Sequence, residues 1–251
     1  MALTFVMSNI LLAQTNINQI DSKGLKQGEW IKKDPLTNFI IYKGQFKDNK
    51  PTGVFKYFHE NTELIKSELK FKNDGKTAYA EIYHMSGKIQ AKGKYINEKR
   101  DSVWLFFNEE GALISKENYK NGLKEGQAFV YYPEGQLLEE IYYKNNLKDG
   151  PNKQYYTNKQ VRSEVNFKNG KVTGKNAYYY PDGMEARIGY YNEFGNKNGV
   201  WLSKDQQGKV TEREVYDNGK LLSEKAAEEW LNKNKKKEDA SPKKEQKKGN
   251  K

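Results

Sequence analysis

Residues 126–146 read GQAFVYYPEGQLLEEIYYKNN, and they contain two strand-like runs joined by a turn. In that turn Pro133 fixes the backbone at the bend, and Gly135 accepts a positive φ at no steric cost. The same signal returns as YYPDG at residues 179–183, which is 48 residues after YYPEG at residues 131–135. Because 48 is two periods of 24, the stretch predicts an array in which each repeat is one β-hairpin.

Two kinds of residue recur eight times along the chain, at intervals of 24 or 25 residues. A small residue leads each repeat, at Gly28, Gly53, Thr77, Ser102, Gly126, Gly150, Gly174 and Gly199. An aromatic residue precedes the closing turn, at Phe46, Phe71, Tyr95, Tyr119, Tyr143, Phe167, Tyr191 and Tyr216. In seven of the eight repeats an aliphatic residue stands six positions before that aromatic residue, and an even offset places both on one face of a strand. We number these repeats 1 to 8 in chain order.

The turns between the runs favour hairpins over helices. Asn-Gly closes several repeats, as in KNG at residues 120–122 and DNG at residues 217–219. Both residues accept the positive φ that a tight hairpin turn requires. No segment of the array holds a 3.6-residue apolar period between its turns. We therefore predict an all-β fold, an elongated antiparallel meander of hairpins over residues 25–221, preceded by a linker at residues 14–24.

The repeats resemble a known family. Their form, G…W/F/Y..Y….G.L……Y.NG, resembles MORN repeats, and more closely the MORN-repeat variant of bacterial proteins of the YwqK type. GVWLSKDQQGKV at residues 199–210 and GEWIKK at residues 28–33 carry the resemblance well. It implies a single-layer, twisted antiparallel sheet that serves as a scaffold or binding module, and it transfers no catalytic residue. Eukaryotic members are associated with lipid headgroups and partner proteins, and YwqK-type members are commonly labelled antitoxins.

Both ends of the chain differ from the array. Residues 1–13, MALTFVMSNILLA, are apolar and end in a small residue, which predicts a signal peptide and export to the periplasm or cell surface. The alternative is a frayed first strand in a cytoplasmic protein. This stretch is shorter than the roughly 20 apolar residues of a transmembrane span, so none is predicted. Residues 222–234 predict a short capping helix with Ser223 as its N-cap, which would cover the open last strand.

Residues 235–251 predict a disordered, lysine-rich tail. Nine lysines and three acidic residues over residues 231–251 contribute +6 to the net charge of +11. Such a tail could anchor the chain electrostatically to an anionic lipid or glycan, and a merely solvated tail is the alternative. The anchoring lysines would be Lys235, Lys236, Lys237, Lys243, Lys244, Lys247 and Lys248. No motif of a specific nucleic-acid reader is present, so such binding is not expected.

The sequence contains few residues and motifs of the kinds that enzymes use for catalysis. The chain has no cysteine, which excludes disulfides, thiolate zinc sites and cysteine nucleophiles. The two histidines, His59 and His84, stand where other repeats carry a tyrosine, which favours ordinary strand residues over a metal or acid–base pair. The tyrosines at that position are Tyr132, Tyr156 and Tyr180. Because GxSxG, P-loop and dinucleotide-binding motifs are also absent, we expect no enzyme activity, no catalytic or metal site and no cofactor.

The second residue after each leading small residue forms a column along the sheet. Its aromatic members are the candidate binding surface: Trp30, Phe55, Tyr79, Trp104 and Trp201. Exposed apolar patches mark binding sites, although the same rings could instead form a packing ladder. In repeats 5 to 7 the column weakens, which could mark a groove that admits a partner or could equally be sequence drift. Those members are Ala128, Asn152 and Asn176.

The sequence supports two functional hypotheses. The first is a non-enzymatic interaction module that binds a protein partner through the sheet. The second is an envelope-associated protein that binds lipid or glycan and is anchored by the lysine-rich tail. Binding through the tail is expected to fall steeply with salt and to be lost on truncation after Leu222, whereas binding through the sheet is expected to survive both.

Overall fold

The computed structural model describes residues 16–239, with side chains for residues 16–234. The chain divides into two compact units, which within this range are residues 16–122 (unit 1) and residues 123–239 (unit 2). In each unit, strands pair antiparallel with their neighbours in the chain, hairpin after hairpin. The prediction of an all-β array of hairpin repeats is confirmed, and a helix follows the last strand.

Strand bounds follow the repeat pattern. Unit 1 contains β1 (Gln19–Ile20), β2 (Lys26–Lys33), β3 (Ile40–Lys47), β4 (Lys50–Phe58), β5 (Ile65–Lys72), β6 (Thr77–Tyr83), β7 (Ile89–Ile96), β8 (Lys99–Phe107) and β9 (Leu113–Lys120). Unit 2 contains β10 (Leu123–Lys124), β11 (Gly126–Tyr131), β12 (Leu137–Lys144), β13 (Leu147–Lys148), β14 (Gly150–Tyr155), β15 (Val161–Lys168), β16 (Lys171–Tyr179), β17 (Glu185–Tyr191), β18 (Lys197–Lys204), β19 (Val210–Asp217), β20 (Lys220–Leu221) and α1 (Glu224–Asp239).

The closing turns use the chemistry of Asn-Gly. Asn121 and Gly122 both have positive φ, of 51° and 86°. The N–H of Gly122 donates to the carbonyl of Arg100 at 2.8 Å, which ties the turn to the beginning of the same repeat. The turn residues therefore fix the hairpin and also close the repeat on itself.

The leading small residue of repeat 2 lies in a β-bulge. Lys43 of β3 pairs with Lys56 of β4, and Gln45 pairs with Thr52, so β4 advances four residues while β3 advances two. Gly53 lies in this stretch with a φ of 64°. Glycine adopts such a conformation without strain, whereas other residues rarely do. A positive φ, and not small size alone, explains why glycine leads most repeats.

Repeat 3 has no such bulge. Strands β5 and β6 pair without any shift in register. The residue opposite the aromatic landmark Tyr95 is Ala78, so Ala78 and not Thr77 is the structural leader of this repeat. In other repeats two extra residues form the bulge at the start of the hairpin. In repeat 3 the extra residues belong instead to the turn before β6, where residues 73–75 all have positive φ. The repeat length is kept, while the register of β6 moves by one residue.

The core contains aromatic rings that sit on glycines of the preceding strand. Three rings are buried, and a Cβ added to the facing glycine would lie between 2.1 and 2.5 Å from the nearest ring atom. The pairs are Gly44–Phe55, Gly93–Trp104 and Gly189–Trp201. Since real Cβ atoms do not approach so closely, each ring requires a glycine beneath it. We call the column of these inward positions the ladder, and the side of unit 1 that carries it the ladder face.

The C-terminal helix is longer than the sequence predicts. Helix α1 starts directly after Ser223, whose carbonyl accepts the N–H of Ala227 at 2.8 Å, as expected of an N-cap residue. It begins at Glu224 and ends at Asp239, which is five residues beyond the predicted boundary at residue 234.

The helix contacts β18, two strands before the end of the sheet. The indole of Trp230 lies 3.7 Å from the position that a Cβ on Gly199 would occupy. Gly199 belongs to β18, which precedes β19 and β20. The predicted signal peptide, residues 1–13, and residues 240–251 of the predicted tail lie outside the described residues.

Candidate functional site

The structure separates the five aromatic residues that form the candidate binding surface. Phe55, Trp104 and Trp201 are buried, with 2%, 0% and 2% of their surface exposed. Trp30 is half-buried, and Tyr79 is 54% exposed. The three buried rings pack in the ladder, which is the alternative raised from the sequence. The column as a whole is therefore not an exposed surface.

Tyr79 is exposed because the register of repeat 3 differs by one residue. Its neighbours Ala78 and Ala80 are buried, and successive residues of a strand point to opposite faces. On the face away from the ladder, Tyr79 pairs with Lys70 of β5 and Lys94 of β7 and lines a groove of about 750 Å³. The ladder position of repeat 3 is therefore held by Ala80.

An alanine in place of a ring leaves a groove on the ladder face of unit 1. It has a volume of about 1030 Å³ and is lined by the buried Ala78 and Ala80 together with Leu69. Six aromatic rings also line it: Tyr42, Phe46, Phe55, Tyr57, Phe71 and Tyr95. We call this site the ladder groove.

Neighbouring repeats show what the ladder groove lacks. In repeat 2, Phe55 lies between Phe46 and Phe71, with ring centroids 5.1 and 5.2 Å away and both ring pairs nearly perpendicular. In repeat 3, Ala78 pairs across the sheet with both Phe71 and Tyr95, so the strand between these two rings carries an alanine where they face each other. Because adjacent strands are about 4.8 Å apart, the backbones of β5 and β7 are about 10 Å apart, which leaves room for a ring.

A cation lies over each tryptophan of the ladder. The pairs are Lys26–Trp30 at 4.6 Å, Arg100–Trp104 at 4.7 Å and Lys197–Trp201 at 4.8 Å from charge to ring centroid. In every pair the cation stands four residues before the tryptophan, and Lys76 likewise stands four residues before Ala80. Lys76 lines the ladder groove, and its carbonyl accepts the N–H of Asn97 at 2.7 Å, as the carbonyl of Lys26 accepts that of Asn49. Repeat 3 keeps the cation but has no ring.

Charges at the rim of the ladder groove are balanced. Lys50 pairs with Asp74 at 3.2 Å, and Lys76 and Glu98 also line the groove. Burial is the main cause that raises the pKa of the Tyr57 hydroxyl. Like any tyrosine, Tyr57 is protonated at neutral pH, and burial favours this form further, so the hydroxyl offers a hydrogen-bond donor at the groove.

In repeats 6 and 7 buried amides fill the ladder positions where the weak aromatic column suggests an opening. Ala128, Asn152 and Asn176 are buried, at 3%, 4% and 0% exposure. The side-chain amide of Asn152 donates to the carboxylate of Glu139 at 2.8 Å, and the amide oxygen of Asn176 accepts the backbone N–H of Asn166 at 2.8 Å. Buried amides with such partners are part of the core. This corrects the expectation of an opening in repeats 6 and 7.

His84 occupies a position in a row of hydrogen bonds between repeats, whereas Nε2 of His59 is buried without a hydrogen-bond partner among the described residues. In unit 2, three tyrosine hydroxyls donate to backbone carbonyls of the following repeat at 2.7 to 2.9 Å. These are Tyr132, Tyr156 and Tyr180. In unit 1, Nε2 of His84 lies 3.1 Å from the carbonyl oxygen of Phe107, and Nδ1 lies 3.2 Å from a carboxylate oxygen of Glu109. His84 thus serves as a structural link between repeats 3 and 4. Among the described residues no group of three or more His, Asp or Glu could hold a metal ion.

The lysines of the candidate electrostatic anchor are only partly described. Lys235, Lys236 and Lys237 belong to α1, without described side chains. Four others lie outside the described residues: Lys243, Lys244, Lys247 and Lys248. Of the residues that the structure covers, none forms a helix long and apolar enough to cross a membrane.

Three consecutive segments of the chain, residues 100–121, 124–145 and 148–169, match the family model described as MORN repeat variant. The matched segments correspond to repeats 4 to 6. The matched segments begin at Arg100, Lys124 and Lys148, each four residues before its ladder position. MORN repeats are generally non-enzymatic binding modules, so the match directs attention to surfaces rather than to catalytic groups.

Comparison with whole proteins adds no functional information. No curated protein matches the chain. A solved crystal structure of a GtfA/B complex bound to UDP and GlcNAc is similar at 13% sequence identity and a TM-score of 0.19. The match covers 55% of this chain and 25% of that chain, so the chain spans about a quarter of that protein's length. A likeness this weak carries no argument.

Proposed function

We propose that the chain is a non-enzymatic repeat scaffold that binds a protein partner through the ladder groove of unit 1. The ladder groove itself is the observation that carries the proposal. Repeats 2, 4 and 8 bury a ring at the ladder position, whereas repeat 3 has Ala80 there. The MORN repeats at residues 100–169 support a binding role for the array.

The physical argument is that the half-buried rings on the walls of the ladder groove leave apolar surface facing water, while Ala78 and Ala80 form its buried floor. Ligand sites are concave, largely apolar and about 300–1,000 Å³ in volume, with a few polar groups that set orientation. The ladder groove has these properties, with its aromatic walls, its balanced rim and the protonated Tyr57 hydroxyl. A partner that covers these rings removes apolar area from water at about 25 cal/mol per Å².

The test fills the groove with the pair of residues that other repeats already use. In the double variant Leu69→Gly/Ala80→Trp, repeat 3 receives the glycine and tryptophan that pack as Gly93–Trp104 and Gly189–Trp201. The tagged full chain, its filled variant and a Tyr79→Ser variant of the opposite face are used for affinity capture from the native cell, with quantitative mass spectrometry. Circular dichroism and thermal unfolding establish that each variant folds.

We expect a stoichiometric protein partner that is captured by the wild-type chain and by Tyr79→Ser, and lost by the filled variant. Equal capture by a folded filled variant, or loss through Tyr79→Ser alone, contradicts the proposal. Recovery of lipid or polysaccharide that depends on low salt and is lost on truncation after Leu222 favours the envelope-anchored alternative instead. Toxicity of the captured partner when expressed alone is the test of an antitoxin role, and cell fractionation is the test of export.

A further inference from the structure

We propose that the ladder groove selects an aromatic side chain of the partner protein, and that Lys76 lies over the ring once it is bound. This inference rests on the proposed function and adds the chemistry of the anchor residue. The partner's ring then takes the place that Phe55 and Trp104 fill in the two adjoining repeats of the ladder.

The shape of the site fits a ring. Phe71 and Tyr95 flank Ala78 across the sheet, and the strand between them carries an alanine where they face each other. On the near side of this gap, Phe71 already makes a perpendicular contact with Phe55 at 5.2 Å. On the far side, Tyr95 does the same with Trp104 at 4.9 Å. A bound ring therefore continues an existing packing interface from both ends, and aromatic pairs at 4.5–7 Å are favourable beyond their buried area.

Charge complementarity also favours a ring. Every tryptophan of the ladder lies beneath a cation four residues earlier in the chain, at 4.6 to 4.8 Å. Lys76 has the same spacing to Ala80 and the same backbone hydrogen bond to the closing turn as Lys26, and it lines the groove. A cation attracts the face of an aromatic ring and gains nothing comparable from an aliphatic side chain. Lys76 therefore favours an aromatic occupant over leucine or isoleucine of similar size.

The rim of the groove disfavours charged occupants. It carries Lys50 and Lys76 against Asp74 and Glu98, and Lys50 already pairs with Asp74. Neither a positive nor a negative side chain meets an excess of opposite charge there. An uncharged ring leaves the rim pairs in water and covers only apolar lining.

Blocked tripeptides test this inference on the full chain. The probes are acetyl-Gly-Trp-Gly-amide and acetyl-Gly-Leu-Gly-amide, titrated against protein with ¹³C-labelled alanine methyl groups. Because Ala78 and Ala80 line the groove, their methyl resonances report occupancy directly. We expect the Trp peptide to shift both resonances and to bind at least fivefold more tightly than the Leu peptide. Lys76→Gln is expected to weaken the Trp peptide about threefold, from the strength of an exposed cation–π contact. The matched control, Lys88→Gln, is expected to change nothing.

Several results overturn the inference. Equal affinity for the two peptides, an absence of shifts at Ala78 and Ala80, or retention of affinity in Lys76→Gln each does so. Self-association of the chain that Phe194→Ser abolishes also does so, since Phe194 is 65% exposed and a second copy would then be the occupant. If the filled variant loses the protein partner but the wild-type chain shows no preference for the Trp peptide, the proposed function stands and only this inference fails. If the Trp peptide binds but filling the groove leaves capture unchanged, the proposed function fails instead.

Discussion

At the scale of single residues, the ladder depends on glycines that have no room for a methyl group. A Cβ on Gly93 would lie 2.3 Å from the indole of Trp104. We expect Gly93→Ala to lower the free energy of unfolding by about 2 kcal/mol, because overpacking of a well-packed core costs about 1–3 kcal/mol. Urea denaturation measures the change. Combining Gly93→Ala with Trp104→Leu should cost less than the sum of the two single changes, and strict additivity would contradict a direct clash.

A second prediction for a single residue concerns alkaline pH. Burial, and then the hydrogen bond to Glu117, raise the pKa of Tyr119 to about 12. An unfolded tyrosine releases its proton near pH 10, so between about pH 10 and 12 the folded state holds a proton that the unfolded state has lost. This contribution to stability is fully present below about pH 10 and is lost as the pH rises toward 12. We expect Tyr119→Phe to flatten the fall of unfolding free energy over that window, measured by denaturation at a series of pH values. An unchanged slope would contradict the assignment.

At the scale of the strand, the two ways of starting a hairpin predict opposite effects of glycine. Ser102 has a φ of 60° in the bulge of repeat 4, a conformation that glycine adopts without strain. Ser102→Gly is therefore expected to raise the unfolding free energy by about 0.5–1 kcal/mol. Ala78 leads repeat 3 in a regular, buried strand, so Ala78→Gly is expected to lower it by about 1 kcal/mol or more. Both variants replace the leading residue of a repeat with glycine. If the free energy of unfolding changed in the same direction in both, the difference in register between repeats 3 and 4 would be contradicted.

The sequence predicts the hairpins well, because period, turn residues and strand faces depend on local chemistry. It misplaces one strand for a physical reason. Thr77 keeps the 24-residue spacing, but the extra residues of repeat 3 lie in the turn at residues 73–75 and not in a bulge. The spacing of the landmarks gives the number of residues in a repeat, but it does not show whether the extra residues lie in a turn or in a bulge. The local signal was the pattern Ala-Tyr-Ala at residues 78–80, in which two small residues alternate with one aromatic.

The site was predicted less well than the fold, because burial on a one-sided sheet depends on the partner across the strand. Trp104 and Tyr79 look equivalent in the column, yet one is buried and the other exposed. What decides between them is strand register: repeat 3 lacks the bulge, so Tyr79 lies on the face away from the ladder, whereas Trp104 lies on the ladder face and packs on Gly93. Asn152 and Asn176 lack the aromatic side chain of the column, yet their amides form buried hydrogen bonds. The partners lie on other strands, so the local sequence does not reveal them.

At the scale of the whole molecule, a repeat array distributes stability locally. Each repeat contacts only its neighbours, so a change at one end should not reach distant repeats. Helix α1 contacts β18 through Trp230 and Gly199. We expect truncation after Leu222 to reduce amide protection in β18, β19 and β20 and to leave the protection of unit 1 unchanged. Hydrogen exchange with mass spectrometry measures both, and a loss of protection throughout unit 1 would contradict local stability.

The exchange of a bulge for a longer turn in repeat 3 also bears on how such a chain can evolve. Repeat arrays grow by duplication, and an insertion within one copy would displace every copy that follows. Here the hairpin keeps its length, so substitutions at the turn and at the leading residue are enough to move a side chain such as Tyr79 from one face to the other. During evolution, one repeat can therefore present different side chains on both faces of the sheet while the strand register of the neighbouring repeats stays unchanged.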